Sequence, residues 1–368
     1  MGSDLPLCVI GAGPAGATAA RMLAERGCRC VKLFEKKAWP RPKTCAGGLG
    51  PRARQWLSRQ GLLAALENSS VKIRSLRFTA PSGKSARLVS PADMALVLPG
   101  DRFDALLVER AVRAGVDFRP STRVLSVKPA KNGAVVATSA GDVEAAAVVV
   151  AAGALDGLSP QHHAPQNLVA SIMARYADFP HNPCEMEMIY SPRLLPYYAW
   201  LFPEPDGCVN IGFMAMDRGP AASLHETFDY ILDRYFSSRL GQARQAGGRR
   251  GAPLRCGGGI GRVVDGCVLR AGESAGLVNC TTGEGIAYAL ESGELAAAAI
   301  AKAITGTRLS AEALAGGYQR SIGRRFAATL RVSALFRSFA SGPLFPAAAG
   351  IGTLPLFQKL SAFVLAKV

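Results

Sequence analysis

The chain has 368 residues, 49% of them hydrophobic and 19% charged, with a formal net charge of +16. That length and balance exclude a disordered or small disulfide-framed protein and predict a globular chain of two or three domains. The charge asks for an anionic partner, but no aromatic-basic alternation or nucleic-acid motif accompanies it, so nucleic acid is set aside for an anionic membrane surface or a diphosphate-bearing substrate.

Leu7-Cys8-Val9-Ile10 is a short apolar run, as expected of a strand buried on both faces. It is too short, and lacks the basic flank, for a secretory leader, so a cytoplasmic enzyme is expected. Gly11-Ala12-Gly13-Pro14-Ala15-Gly16 follows, and a helix is predicted from Pro14 to Arg26 with Gly27 as its stop. Gly11 permits a tight turn, Gly13 lets backbone approach a pyrophosphate, and Gly16 lets the helix pack on the strand. The helix N-terminus offers free N–H groups to phosphate. A second strand, Cys30 to Phe34, ends at Glu35, where an acid can bind ribose hydroxyls. Strand, glycine turn, helix, strand and acid together predict dinucleotide binding.

Residues 71–98 read as antiparallel strands around a turn at Pro81-Ser82-Gly83-Lys84. Asp101 opens a helix running to about Ala114. Residues 123–153 return to strands, ending in an apolar run that meets Gly153, a glycine able to approach a cofactor. Strands are expected over 167–215, a helix over 221–245, and a long Ala-rich helix at the end of 262–305. The nine cysteines form no paired CxxC sets, which predicts reduced thiols and no structural metal site; Cys28 and Cys30 read as small core residues. None of the histidines, His162 and His163 included, sits in a catalytic setting. After Glu312 every charged residue is basic, with Phe336, Phe339, Phe345, Phe357 and Phe363 interspersed. Basic plus bulky apolar is an interfacial pattern, and a helical cap on the protein's own core fits equally. The prolines at 343, 346 and 355 argue against a spanning helix.

Three segments together, the Gly11–Gly16 turn, Lys43-Thr44-Cys45-Ala46-Gly47-Gly48-Leu49, and Gly266 to Gly293, resemble the geranylgeranyl reductase family of FAD-dependent oxidoreductases, in the p-hydroxybenzoate hydroxylase fold group, over about residues 5–305. Cys45 and its glycines are similar to that family's Cys-Gly-Gly-Gly loop. Tyr198-Ala199-Trp200-Leu201-Phe202-Pro203 is similar to its YxWxFP stretch, although the proline expected at Leu195 stands one place later, at Pro196.

The resemblance implies an α/β fold, with a Rossmann-type FAD-binding domain (1–70, 99–155, 250–305) interleaved with an antiparallel β-sheet substrate domain (71–98, 156–249) and followed by C-terminal helices (306–368). It implies FAD contacts from Gly11, Gly13, Ala15, Gly16, Glu35, Lys36, Arg41, Cys45, Ala46, Gly47, Arg102, Val124, Gly153, Gly272, Glu273, Gly283, Gly285 and Ile286. Gly272-Glu273 stands where the family carries Gly-Asp, so the acid is one methylene longer. The helix near Gly285 would aim its N-terminus at the flavin.

The implied chemistry is hydride transfer from reduced flavin to a C=C bond of a hydrophobic, isoprenoid-like substrate. Cys45 is the candidate proton donor, and Tyr198, Trp200 and Phe202 share one strand face as a candidate aromatic wall. No second nucleotide-binding unit is evident, so NAD(P)H would bind transiently or a small redox protein would supply electrons. The alternatives are a flavin monooxygenase or a flavin-dependent halogenase. Asp156-Gly157 resembles the former's DG element out of register, and Pro40-Arg41-Pro42-Lys43 leads into Cys45 rather than the halogenase sequence.

Overall fold

A computed structural model describes residues 5–131, 133–155, 157–158, 168–216, 222–256, 259–304 and 311–342. Four sheets organise these residues. The first has six strands in the order Val264–Asp265, Val268–Arg270, Ala147–Val150, Leu7–Ile10, Val31–Phe34, Asp117–Arg119, and only its Val264–Asp265 edge runs antiparallel. Leu7 pairs with both Ala147 and Val31, so the glycine turn leaves from the middle of the sheet. Its central strands are apolar at every position because both faces are buried, with helix Pro14–Glu25 and the antiparallel strands of residues 124–145 packed against them.

Helix Pro14–Glu25 follows the first strand as predicted. The next strand begins at Val31, one residue late: Cys30 takes φ 53° and is exposed, while Cys28 is half-buried against the core. Helix Pro14–Glu25 packs on the long helix Ile286–Ile304, where a Cβ on Gly293 would stand 2.4 Å from the Ala15 carbonyl oxygen. Helix Gly100–Arg113 also packs on helix Pro14–Glu25, and a three-stranded antiparallel sheet, residues 124–145, leads into Ala147–Val150.

The large sheet has eight strands. Leu168–Ala177, Val209–Met216, Ala199–Pro203 and Glu185–Ile189 are successive antiparallel neighbours, and Ser75–Thr79 and Ser85–Val89 form a hairpin at one edge. The expected hairpin is present, but Ser75–Thr79 joins Glu185–Ile189 in parallel, so the sheet is not wholly antiparallel. The flanking Val71–Ile73 and Ala95–Val97 leave it for a small sheet with Gly48–Leu49, which ties the Cys45 loop to this segment.

Both faces of the large sheet are buried. Ala199 and Leu201 face a cluster with Phe213, Phe228 and Phe236; Tyr198, Trp200 and Phe202 face the opposite cluster with Met173 and Met214. The alternation expected of a strand is therefore real. The helix expected over 221–245 is instead Ala222–Ile231, a π-helical turn Leu232–Phe236 and a last turn to Leu240; Arg244–Gln245 then pairs with the large sheet. The helix ends at Gly241, and the chain beyond it turns so that Arg244 and Gln245 pair with Ala177 and Tyr176 at the sheet edge.

Helix Ala311–Ala340 is the C-terminal helical element. Tyr318, Ile322, Phe326 and Leu330 bury one face of it, at helical spacing. No described helix is long and apolar enough to cross a membrane. The tail beyond residue 342, Asp156, His162 and His163 lie outside the described residues.

Candidate flavin site

A cavity of about 580 Å3 opens where the first strand, the helix Pro14–Glu25 and the helix Ile286–Ile304 converge. The glycine turn explains its floor. Gly11 holds φ 98°, and a Cβ there would stand 2.3 Å from the Ala151 oxygen; a Cβ on Gly16 would stand 1.9 Å from the Gly11 oxygen. Any side chain at either place would push the turn, the helix and the neighbouring strand apart. Gly13 is different: within 4 Å a Cβ would meet only Arg41 Nη2, so its bare face opens on the cavity. No side chain caps helix Pro14–Glu25, which leaves its first N–H groups to a ligand. Such an open cradle at a positive helix end fits a pyrophosphate.

A charged chain runs along one wall. Glu35 accepts from the backbone N–H of Ala12 at 3.3 Å and of Lys37 at 3.0 Å. Arg41 Nε donates to Glu35 at 2.9 Å, and its Nη2 lies 3.1 Å from Asp104. Lys43 Nζ donates to the other oxygen of Asp104 at 2.8 Å. Asp104 is wholly buried, so two cations offset its desolvation, and losing either would leave a buried charge half-matched. Asp104 was not singled out in the sequence; its signal is the second acid of Gly-Asp-Arg-Phe-Asp, one helical turn after Asp101 and on the inner face.

The Cys45 loop is built by its glycines. Gly47 has φ 80°, and its Cβ would lie 2.2 Å from the Leu98 oxygen; Leu98 N–H in turn donates to the Gly47 oxygen at 3.0 Å. Gly47 N–H points back to Cys45 Sγ at 3.3 Å. Gly48 lets the Phe202 ring approach, with Cε2 3.2 Å from where a Cβ would be. Burial pushes the Cys45 thiol up, against the opposing pull of Lys43 and the Gly47 N–H. At neutral pH the side chain is therefore a thiol that carries its proton.

Glu273 stands on the same cavity; its carboxylate accepts the Arg255 backbone N–H at 3.0 Å, and burial pushes its affinity for a proton up. Glu284 precedes helix Ile286–Ile304. Its Oε1 accepts the Ala287 N–H at 2.7 Å, its Oε2 has no hydrogen-bond partner among the described residues, and burial raises its pKa to about 7.

Of the residues singled out in the sequence, Gly11, Gly13, Ala15, Glu35, Lys36, Arg41, Cys45, Val124, Gly153, Glu273, Gly283, Gly285 and Ile286 all line this cavity. Gly16, Ala46, Gly47 and Gly272 do not line it. Arg102 is exposed in the first turn of its helix and lines a second, smaller cavity instead. Tyr198 and Trp200 line neither. They are core residues that hold other parts in place: Tyr198 Oη donates to the Thr282 carbonyl at 2.6 Å, and Trp200 Nε1 donates to Asn210 Oδ1 at 2.9 Å. Asn210 Nδ2 then lies 3.5 Å from the Cys45 carbonyl oxygen. The link from Trp200 through Asn210 to the cysteine loop was missed, and a lone Asn in an apolar strand was its only trace.

Comparison with known proteins agrees with this geometry. The FAD binding domain family matches residues 4–155. The menaquinone reductase of Mycolicibacterium smegmatis is 31% identical over 81% of this chain and 76% of its own length. Digeranylgeranylglycerophospholipid reductase 1 of Methanosphaera stadtmanae is 27% identical over 85% of the chain and 79% of its length. The crystal structure of a geranylgeranyl bacteriochlorophyll reductase-like protein from Thermoplasma acidophilum superposes with TM-score 0.83 at 22% identity, covering 94% of this chain and 89% of that one. The chain belongs to the geranylgeranyl reductase family of FAD-dependent oxidoreductases.

Proposed function

We propose that this enzyme reduces a C=C bond of a hydrophobic, isoprenoid-like substrate. FAD supplies the hydride chemistry when bound. The glycine turn and the two converging helix N-termini would hold it, with Gly13, Glu35, Lys36, Arg41, Gly153 and the Gly283–Ile286 turn as its contacts. One observation carries the reading: the half-buried Cys45 thiol lines the cavity between those helix ends, with the Gly47 N–H 3.3 Å from its sulfur.

Reducing a C=C bond needs a hydride on one carbon and a proton on the other. Cys45 Sγ is the group placed to give that proton, and the Gly47 N–H stabilises the thiolate that remains. Leu254 and Val278 border the same cavity, near Gly283 and Gly285 respectively, and would give the reacting end of an apolar chain an apolar wall to meet. Lys43, held by Asp104, keeps a positive charge beside the sulfur. Trp200 and Asn210 act as positioning residues for the loop.

Cys45→Ala in the FAD-loaded enzyme tests this. Turnover lost by at least about tenfold with flavin content unchanged supports the proton role; full turnover refutes it. Electrons would come from NAD(P)H or a small redox protein. The exposed face of helix Ala311–Ala340 carries Val332, Leu335 and Phe339 beside Arg324 and Arg331, which suits contact with an anionic membrane. Leu335→Ser with Phe339→Ser should then lower binding to phosphatidylserine vesicles, whereas unchanged binding would leave this helix a cap on the core.

A further inference from the structure

The C-terminal helix Ala311–Ala340 docks on the core through Tyr318, Ile322, Phe326 and Leu330. The next position on that face at helical spacing is Ser333, and it is buried too. A hydroxyl that leaves water for an apolar row must recover its hydrogen bonds. Ser333 recovers them from residues 279–284, which lead into helix Ile286–Ile304. Its Oγ donates to Asn279 Oδ1 at 2.7 Å and accepts the Thr281 N–H at 3.1 Å. Thr281 Oγ1 donates back to the Ser333 carbonyl oxygen at 2.9 Å.

Asn279 is the hub of this turn. Its Oδ1 also accepts the N–H groups of Thr281 at 2.9 Å and Thr282 at 3.2 Å. Its backbone carbonyl accepts the Gly283 N–H at 2.9 Å, and its own N–H donates to the Glu284 carbonyl at 2.9 Å. The large sheet holds the turn at a third point, through Tyr198 Oη and the Thr282 carbonyl. Gly283 has no room to slide, since a Cβ there would stand 2.4 Å from Met214 Sδ. The N–H groups of residues 281–283 are thus spent on Asn279 and Ser333, neither of which lines the main cavity, whereas Gly283, Gly285 and Ile286 do line it.

Alanine at 333 would dock the helix with no hydroxyl to satisfy. The polar join instead fixes the residues that precede a helix N-terminus at the flavin cavity. That end carries partial positive charge and favours the reduced, more negative flavin. We propose that Ser333 is a positioning residue for the flavin: through Asn279 and Thr281 it sets the Gly283–Ile286 turn against the cofactor and makes the C-terminal helix part of the redox site. The inference rests on reading the main cavity as the flavin site.

The experiment is the midpoint potential of FAD bound to the full chain, measured by reductive titration against a reference dye. Ser333→Ala should lower it by at least about 30 mV, the equivalent of a tenfold weaker preference for reduced over oxidised flavin in a two-electron couple. Ser321→Ala is the control. That hydroxyl sits on the same helix but donates to the Gly317 carbonyl within it at 2.9 Å, so the potential should stay that of the wild type. A wild-type potential in Ser333→Ala overturns the proposal even where the denaturant midpoint has fallen, because a merely structural contact loses stability without moving the flavin. A raised potential, or an equal fall in the control, overturns it as well. Thr281→Val removes the bond to the Ser333 carbonyl while keeping the side-chain shape, and it decides by the same criterion where Ser333→Ala loads FAD poorly. Failure of the flavin-site reading looks different: Gly13→Val, which fills the proposed pyrophosphate cradle, would then load FAD as the wild type does.

Discussion

Adjacent glycines in the Cys45 loop should respond very differently to the same methyl group. At Gly47, alanine must adopt φ 80°, which costs about 1–2 kcal/mol for a residue with a Cβ. Its Cβ would also lie 2.2 Å from a backbone oxygen, that of Leu98. Relief needs a backbone shift of the order of 1 Å, enough to break the Leu98 N–H to Gly47 bond, worth about 1 kcal/mol. The sum is about 2–3 kcal/mol, a large part of the ~5–15 kcal/mol that holds a typical domain together. At Gly48 the φ is ordinary and the nearest atom is the edge of the Phe202 ring at 3.2 Å, which can give by rotating. That change should cost under about 1 kcal/mol. Denaturant midpoints of the FAD-loaded variants measure both, and Gly47→Ala should in addition lose turnover, because Cys45 hangs on the displaced turn. Equal midpoints for the two variants, or a normal Gly47→Ala enzyme, would refute the geometry argued for this loop.

Three further predictions follow from buried acids and from the core. Glu284 has its proton affinity raised by burial to about 7, so the folded state keeps a proton that the unfolded chain gives up near 4.5. Stability attributable to this group is therefore full below the unfolded value and falls as pH rises from about 4.5 to 7; Glu284→Gln should flatten that fall, and parallel curves for variant and wild type between pH 5 and 8 would contradict it. Glu291 is buried, but hydrogen bonds from Arg52 at 2.9 and 2.6 Å and from Arg325 at 2.6 and 2.7 Å outweigh that burial and hold it ionised. Glu291→Gln should cost about 3 kcal/mol by leaving Arg52 buried without its counter-charge, read as a lower denaturant midpoint; a shift below about 1 kcal/mol would mean solvent replaces the pair. Trp200→Phe removes the hydrogen bond to Asn210 while keeping the ring, and should lower kcat with little change in flavin content; an unchanged kcat would detach Asn210 from the Cys45 loop.

The cofactor half of the molecule was legible because its signals are local. A buried strand, a glycine turn, a helix and an acid sit within one short stretch, and each residue type there has a backbone or charge reason. The cavity brings the distant Gly283–Ile286 turn to the same place, as the family resemblance implied. What stayed hidden depends on contacts across the sequence. Tyr198 and Trp200 alternate as a strand face should, but alternation cannot say whether that face meets a ligand or a core; here it meets Met173 and Met214. The ion pairs of Arg41 and Lys43 with Asp104 join segments 61 or more residues apart. The parallel pairing of Ser75–Thr79 with Glu185–Ile189 is likewise non-local, and a single strand carries no mark of its partner's direction. The helix expected through residue 245 failed for a related reason, since its last residues are drawn into a sheet edge.

The most direct test of the account is stopped-flow reoxidation of the reduced, FAD-loaded enzyme, mixed in turn with oxygen and with an unsaturated isoprenoid. A reductase whose proton donor is Cys45 should reoxidise rapidly with the isoprenoid and slowly with oxygen, and Cys45→Ala should slow only the isoprenoid reaction. Rapid reaction with oxygen to give a C4a-adduct absorbance, with no response to the isoprenoid, would contradict the account and place the enzyme among oxygen-using flavoproteins.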